Sequence, residues 1–144
     1  MAEPDLSGLI RYRRYQLDEK RRFIARLYAE ADKIYGTKKR ALDEVAHERA
    51  YVVESSDPHV ITGFLTYQGM MKKKVALIDK EIQRIDTRIQ VAQDDLREEY
   101  AEIKKYEIVQ RRRLERKRAE LARREAALFD AQALEMYRRA VENA

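Results

Sequence analysis

Between Met71 and Tyr106 the apolar residues step by four and three without losing frame: Met71, Val75, Ile78, Ile82, Ile85, Ile89, Ala92, Leu96, then, past a polar residue at Glu99, Ile103 and Tyr106. Two interleaved series of seven-residue spacing result. Val75, Ile82, Ile89, Leu96 and Ile103 form one, and Met71, Ile78, Ile85, Ala92 and Tyr106 the other. This is the pattern of a coiled-coil seam. Almost everything between the seam residues is Lys, Arg, Asp, Glu or Gln. A helix with so narrow an apolar stripe cannot bury it against itself, so a second helix must lie alongside.

The rest of the chain suits that demand. It is 40% charged, with 4 Gly, 2 Pro, no Cys and no Trp in 144 residues. High charge, few chain breakers and heptad periodicity predict long helices rather than a globular core. A seam leaves little room for an enclosed active site. The absence of Cys excludes disulfide staples and thiol chemistry and favours a reducing compartment. No apolar run is long enough to cross a bilayer, and a start containing Glu3 and Asp5 does not read as a signal peptide. The expectation is one soluble, cytoplasmic domain spanning residues 1–144, without membrane insertion.

The partner helix is found upstream. Ile10, Leu17, Ile24, Ala31, Lys38, Val45 and Val52 recur every seven residues, with Leu27, Ile34 and Ala41 as companions and Leu42 flanking. Arg13, Lys20 and Glu48 are polar misses at companion positions, and Gly36 costs about 1 kcal/mol against Ala in a helix. Met1 to Asp5 reads as a frayed start, with Ser7 as the helix cap. The one strong break is Ser55-Ser56-Asp57-Pro58, where Asp57 is an N-cap and Pro58 a first helical residue. The predicted fold is all-α: an antiparallel two-helix coiled-coil hairpin with helices over about 7–54 and 58–141, a turn over about 55–58, and a longer second helix overhanging at the C-terminal end. Pairing of the same seams between chains is the alternative, although the free protein is expected to be a monomer. With the turn centred on Asp57, Leu27 should face Thr87 and Ile10 should face Lys104. The first helix then runs out near Val109, where the second seam also ends in Gln110, Arg113 and Lys117.

Two regions are left over. Residues 108–144 carry 10 basic and 6 acidic side chains, whereas 1–57 carry 12 and 11 and 58–107 carry 9 and 9. The surplus is a basic run of Arg111, Arg112, Arg113, Arg116, Lys117 and Arg118 with Glu115 among them. A new stripe follows in a shifted frame: Ala122, Ala126, Phe129, Ala133, Met136 and Ala140, flanked by Leu114, Leu121 and Leu128. An amphipathic helix with a basic collar and no partner in its own chain fits a groove on another protein. The run also reads as a solvated face with Glu115 pairing Arg111, Arg112 and Arg118, and the stripe as an oligomer seam. The turn is the second region. Tyr51, Val60, Ile61, Phe64, Leu65, Tyr67, Met70 and Met71 bring more apolar surface than a turn needs, and Thr62, Gly63, Thr66 and Gly69 make its helix pliable.

No catalytic constellation is present. There is no phosphate-cradling Gly loop, no nucleophile elbow and no zinc-protease motif. His47 and His59 stand near the turn without a ligand set around them, and acidic pairs such as Asp94-Asp95 and Glu98-Glu99 follow from a charged exposed face. The chain reads as non-enzymatic, without cofactor or metal. Nucleic acid is disfavoured as partner, since aromatics are not interleaved with the basic run.

In length, in a first helix near 50 residues with a longer second one, in Tyr67-Gln68 early in that helix, and in the late charged run from Ile108 to Arg118, the sequence resembles the FliJ family of the bacterial flagellar export apparatus. The resemblance implies an antiparallel coiled coil similar to the gamma subunit of rotary ATPases. It implies a role in flagellum biogenesis, protein export and motility. The protein would couple a FliI-like export ATPase ring to the cytoplasmic domain of a FlhA-like gate protein and assist export chaperones. The place implied is the cytoplasm, peripheral to the inner membrane at the flagellar base. ATPase contact would then fall on Arg111, Arg112, Arg113, Arg116, Arg118, Phe129 and Met136. Gate contact would fall on Tyr67 and Gln68, with Met70 beside them and Tyr51 and Phe64 completing the tip. The alternative function is a generic coiled-coil adaptor or a basic nucleic-acid-associated rod.

Overall fold

The computed structural model describes residues 4–144. The chain is an all-α, antiparallel two-helix hairpin: α1 spans Ser7–Val53 and α2 spans Pro58–Glu142. Gly36 does not interrupt α1. Two compact units are recognised, residues 16–99 and residues 4–15 with 100–144.

In the first unit, Ile24, Leu27 and Ala31 of α1 pack on Ile85, Ile89 and Ala92 of α2, with Ile34 and Leu96 closing the cluster. Leu27 and Ile85 are each only 2% exposed. Leu17, Ala41, Met71, Ile78 and Ile82 extend this buried line. Each buried Ile or Leu contributes roughly 1.5–3 kcal/mol over an exposed one, before entropy. Lateral pairs flank the seam: Gln93 donates to the Tyr28 hydroxyl, Tyr35 donates to Asp86 at 3.2 Å, and Lys38 meets Asp79 at 2.7 Å. Numbers rise on α1 as they fall on α2, which fixes the antiparallel sense.

The polar misses of the two seams answer each other. Glu99 is buried, and Lys20 reaches it at 3.2 Å and Asp95 at 3.1 Å. Burial alone would lower the Lys20 pKa, but the hydrogen bonds and charges of Asp95 and Glu99 outweigh it and hold the ammonium raised. A cation and an anion at facing core positions satisfy each other where either alone would be costly.

Leu27 sits between Ile85 and Ile89, at the level of Thr87 as expected, but the lateral side-chain partners differ from simple opposition about Asp57. That geometry points Lys20 at Asp94, Tyr35 at Asp79 and Lys38 at Ala76. The partners found are Asp95 with Glu99, Asp86, and Asp79. Helical side chains lean toward the N-terminus of their own helix. In an antiparallel pair both leans carry the tips past the level of their Cα atoms, so each residue meets a partner further along α2.

In the second unit, Ile10 and Ile103 are buried, and Arg13 lies over the Tyr106 ring at 5.7 Å. Arg14 bonds Glu107 at 2.7 Å. The expected fraying of residues 1–5 falls partly outside the described residues, which begin at Pro4; Pro4 and Asp5 themselves are tied down. Ser7 is not the cap but the first helical residue. Its amide and hydroxyl both donate to Asp5 Oδ1, at 3.0 and 2.7 Å. Gln110 accepts from the Leu6 amide at 3.1 Å and donates to Asp5 at 2.5 Å. Arg113 donates to the Pro4 carbonyl at 2.8 Å. A helix start leaves backbone amides without partners, and polar side chains from α2 supply them. Cross-helix contact therefore runs a turn beyond Val109.

Two outcomes test these assignments. Lys20→Met is expected to cost about 2 kcal/mol in thermal or urea melting, while Lys20→Met with Glu99→Leu returns to within about 1 kcal/mol of the parent or exceeds it. Hydrogen bonds from Ser7, then Gln110, hold the Asp5 pKa below its ordinary value, as Arg14 and then Lys104 do for Glu107. Depressed carboxylates stabilise above their unfolded pKa and lose that contribution as pH falls through the folded one. Protection of the Leu6 and Ser7 amides, taken against the intrinsic exchange rate at each pH, should therefore fall below the usual carboxylate range, and Asp5→Asn should remove that acid dependence.

Candidate functional site: an apolar tip and a basic helix

The turn folds as its residues dictate. Asp57 caps α2, its carboxylate accepting from the His59 amide at 2.9 Å, and Ser55 accepts from the Asp57 amide at 3.3 Å. Thr62 and Thr66 return their hydroxyls to the carbonyls of Pro58 and Thr62, at 3.0 and 3.3 Å. These bonds keep α2 regular through a stretch of poor helix formers.

The five tip residues singled out from sequence do not form one surface. Tyr51, Phe64 and Tyr67 share an open groove of about 370 Å³ with Glu44, Glu48 and Val60. The Phe64 and Tyr67 rings stand 6.3 Å apart at 44°. The Tyr67 hydroxyl is shielded from solvent without a well-formed hydrogen bond. Burial first, and then Glu44 and Glu48, keep it protonated by raising its pKa. Gln68 lies apart, half-buried in line with the seam and lining another groove with Leu42 and Met71. Met70 faces solvent away from both. His47 and His59 are exposed, and no group of His, Cys, Asp and Glu able to hold a metal occurs among the described residues.

The basic helix is likewise divided. Arg111, Arg112 and Arg118 are exposed and make no ion pair among the described residues, so the expected pairing with Glu115 is not realised. Arg113 is half-buried and donates to the Pro4 carbonyl, unlike its exposed neighbours Arg111 and Arg112. Arg116 is exposed but has a partner. Further on, the ion pairs that form are local, Arg124 to Glu120 and both Arg138 and Arg139 to Glu135. The predicted stripe is bare throughout: Phe129 is 72% and Met136 71% exposed. Sequence reasoning missed Leu134, Tyr137 and Val141, equally exposed. Their three-and-four spacing was the available signal, overlooked because it runs beside the alanine frame rather than in it.

Among the described residues the grooves are open to solvent. Two exposed surfaces stand out, an aromatic one at the turn and a cationic, apolar one on α2. No helix among the described residues is long and apolar enough to cross a membrane. No protein-family model, curated protein or solved structure matches the chain.

Removal of Arg113 should cost about 1 kcal/mol in melting temperature experiments, because it strips a charge-assisted bond to a backbone carbonyl. Arg111→Ala and Arg112→Ala should stay within about 0.5 kcal/mol of the parent.

Proposed function

We propose that this chain is a non-enzymatic coupling component of a bacterial flagellar protein export apparatus, like the FliJ family it resembles. The observation that carries the reading is the helical segment from Arg111 onward. It is long, cationic and apolar, Arg111, Arg112 and Arg118 make no ion pair among the described residues, and the Phe129–Met136 stripe stays exposed. That segment engages an export ATPase ring, with Arg111, Arg112, Arg116, Arg118, Phe129 and Met136 as contacts. The tip groove of Tyr51, Phe64 and Tyr67, with the outward Met70, engages the cytoplasmic domain of an export gate or a chaperone. Met and aromatic side chains suit a surface that accepts more than one partner. In this reading the protein works in the cytoplasm at the flagellar base and stays outside the bilayer.

Binding to a purified export ATPase ring tests it. Arg112→Ala combined with Phe129→Ala should weaken ring binding at least tenfold, about 1.4 kcal/mol. The same variant should leave gate-domain binding unchanged, whereas Tyr51→Ala with Met70→Ala should do the reverse. Absence of ring binding together with salt-sensitive retention on DNA would transfer the assignment to a nucleic-acid-associated rod.

A further inference from the structure

The hairpin carries a second apolar line that its own seam does not use. Leu77 and Val91 lie fourteen residues apart on α2, hence on one side of it, and are 62% and 64% exposed. Neither belongs to the buried series Ile78, Ile85 and Ala92. Beside Val91, Phe23 of α1 forms the opposite wall of an open groove of about 620 Å³ floored by Thr87 and Ala92. The rim is acidic, with Asp94, Asp95 and Glu98. The cations nearby are already engaged, Arg88 with Glu30 at 3.5 Å, Arg97 with Asp94 at 3.5 Å and Lys20 with Asp95 and Glu99, so Glu98 is the rim carboxylate left without an ion pair among the described residues. A cleft between two paired helices, walled by Phe23 and Val91 and floored by Ala92, has the shape of a seat for a third helix.

A helix with an apolar side for Phe23 and Val91 and cations beside it for the rim fits this cleft. One segment of this chain has these properties. Leu114, Leu121 and Leu128 recur every seven residues and are exposed, and Arg111, Arg112 and Arg118 beside them lack ion pairs among the described residues. We propose that the helical segment 111–128 of a second copy docks in the Phe23–Val91 groove, its arginines meeting Asp94, Asp95 and Glu98. Groove and helix are different surfaces, so the contact is heterologous, and its repetition joins copies head to tail. A contact of about two heptads buries less than a standard interface, so association is weak: monomer at low concentration, short chains at high concentration. The charged rim makes it stronger at low salt.

Sedimentation of the full chain over a concentration series tests this. Average mass should rise with concentration at low salt and fall back as salt is added. Val91→Glu spoils only the groove and Leu121→Glu only the helix. Both sites are exposed, and matching helical melts would show the fold kept. Each variant alone should remain monomeric. Their equimolar mixture should form a dimer and go no further, because one copy keeps a sound helix and the other a sound groove. Glu98→Arg should weaken parental association several-fold. The proposal is overturned if the parent stays monomeric at every concentration, if Val91→Glu associates as the parent does, or if the mixture fails to dimerise.

Discussion

Lys20 and Glu99 decide how the two helices meet. Isoleucine and leucine recur every seventh residue, so sliding one helix along the other by a heptad would replace most apolar contacts with others of the same kind. The charges do not survive the slide. In one direction Lys20 would face Ala92 and Arg88; in the other Glu99 would face Leu27. With Glu99 buried, either register strands a charge in the seam, a loss larger than one apolar contact. The ion pair adds little net stability over an apolar pair of similar volume, but it separates the native register from its nearest competitors.

Much of the fold was legible because burial here follows from one dimension. The α2 seam predicted from Met71 to Tyr106 is buried or half-buried at every position, and the α1 seam from Ile10 to Val52 at every position but the polar Glu48. Asp57 and Pro58 mark the turn through chemistry that depends on immediate neighbours alone. The missed features all need the second helix. Asp5 caps α1, in place of Ser7, partly because Gln110 comes within reach from a hundred residues away. Arg113 looked like one more residue of a basic run and is instead a strap on Pro4. Gln68 looked like part of a binding motif and sits in line with the seam. The lateral side-chain partners were not legible, because side-chain lean belongs to three-dimensional geometry and leaves no trace in spacing.

Function in such a protein is read from what folding does not consume. A seam uses two positions in seven and ion pairs use some of the rest. What remains exposed and apolar, or exposed and unpaired, stands out against a charged background. By that measure the groove of Tyr51 and Tyr67, the arginines around Arg112, and the flank of Phe23 and Val91 are the informative places, more so than the well-packed residues around Ile85.

The position of that packed cluster also bears on how the chain reaches its native state. Across the seam, sequence separation grows from 51 residues at Tyr35–Asp86 to 65 at Tyr28–Gln93 and 75 at Lys20–Asp95. Loop-closure entropy rises only with the logarithm of length, so the difference between the shortest and longest of these is about 0.3 kcal/mol. Among these pairs, then, nearness to the turn gives little kinetic advantage. The packing of Leu27, Ile85 and their neighbours has no counterpart at the bend, where few side chains are buried. The bend is therefore the part that can reopen without unzipping the whole.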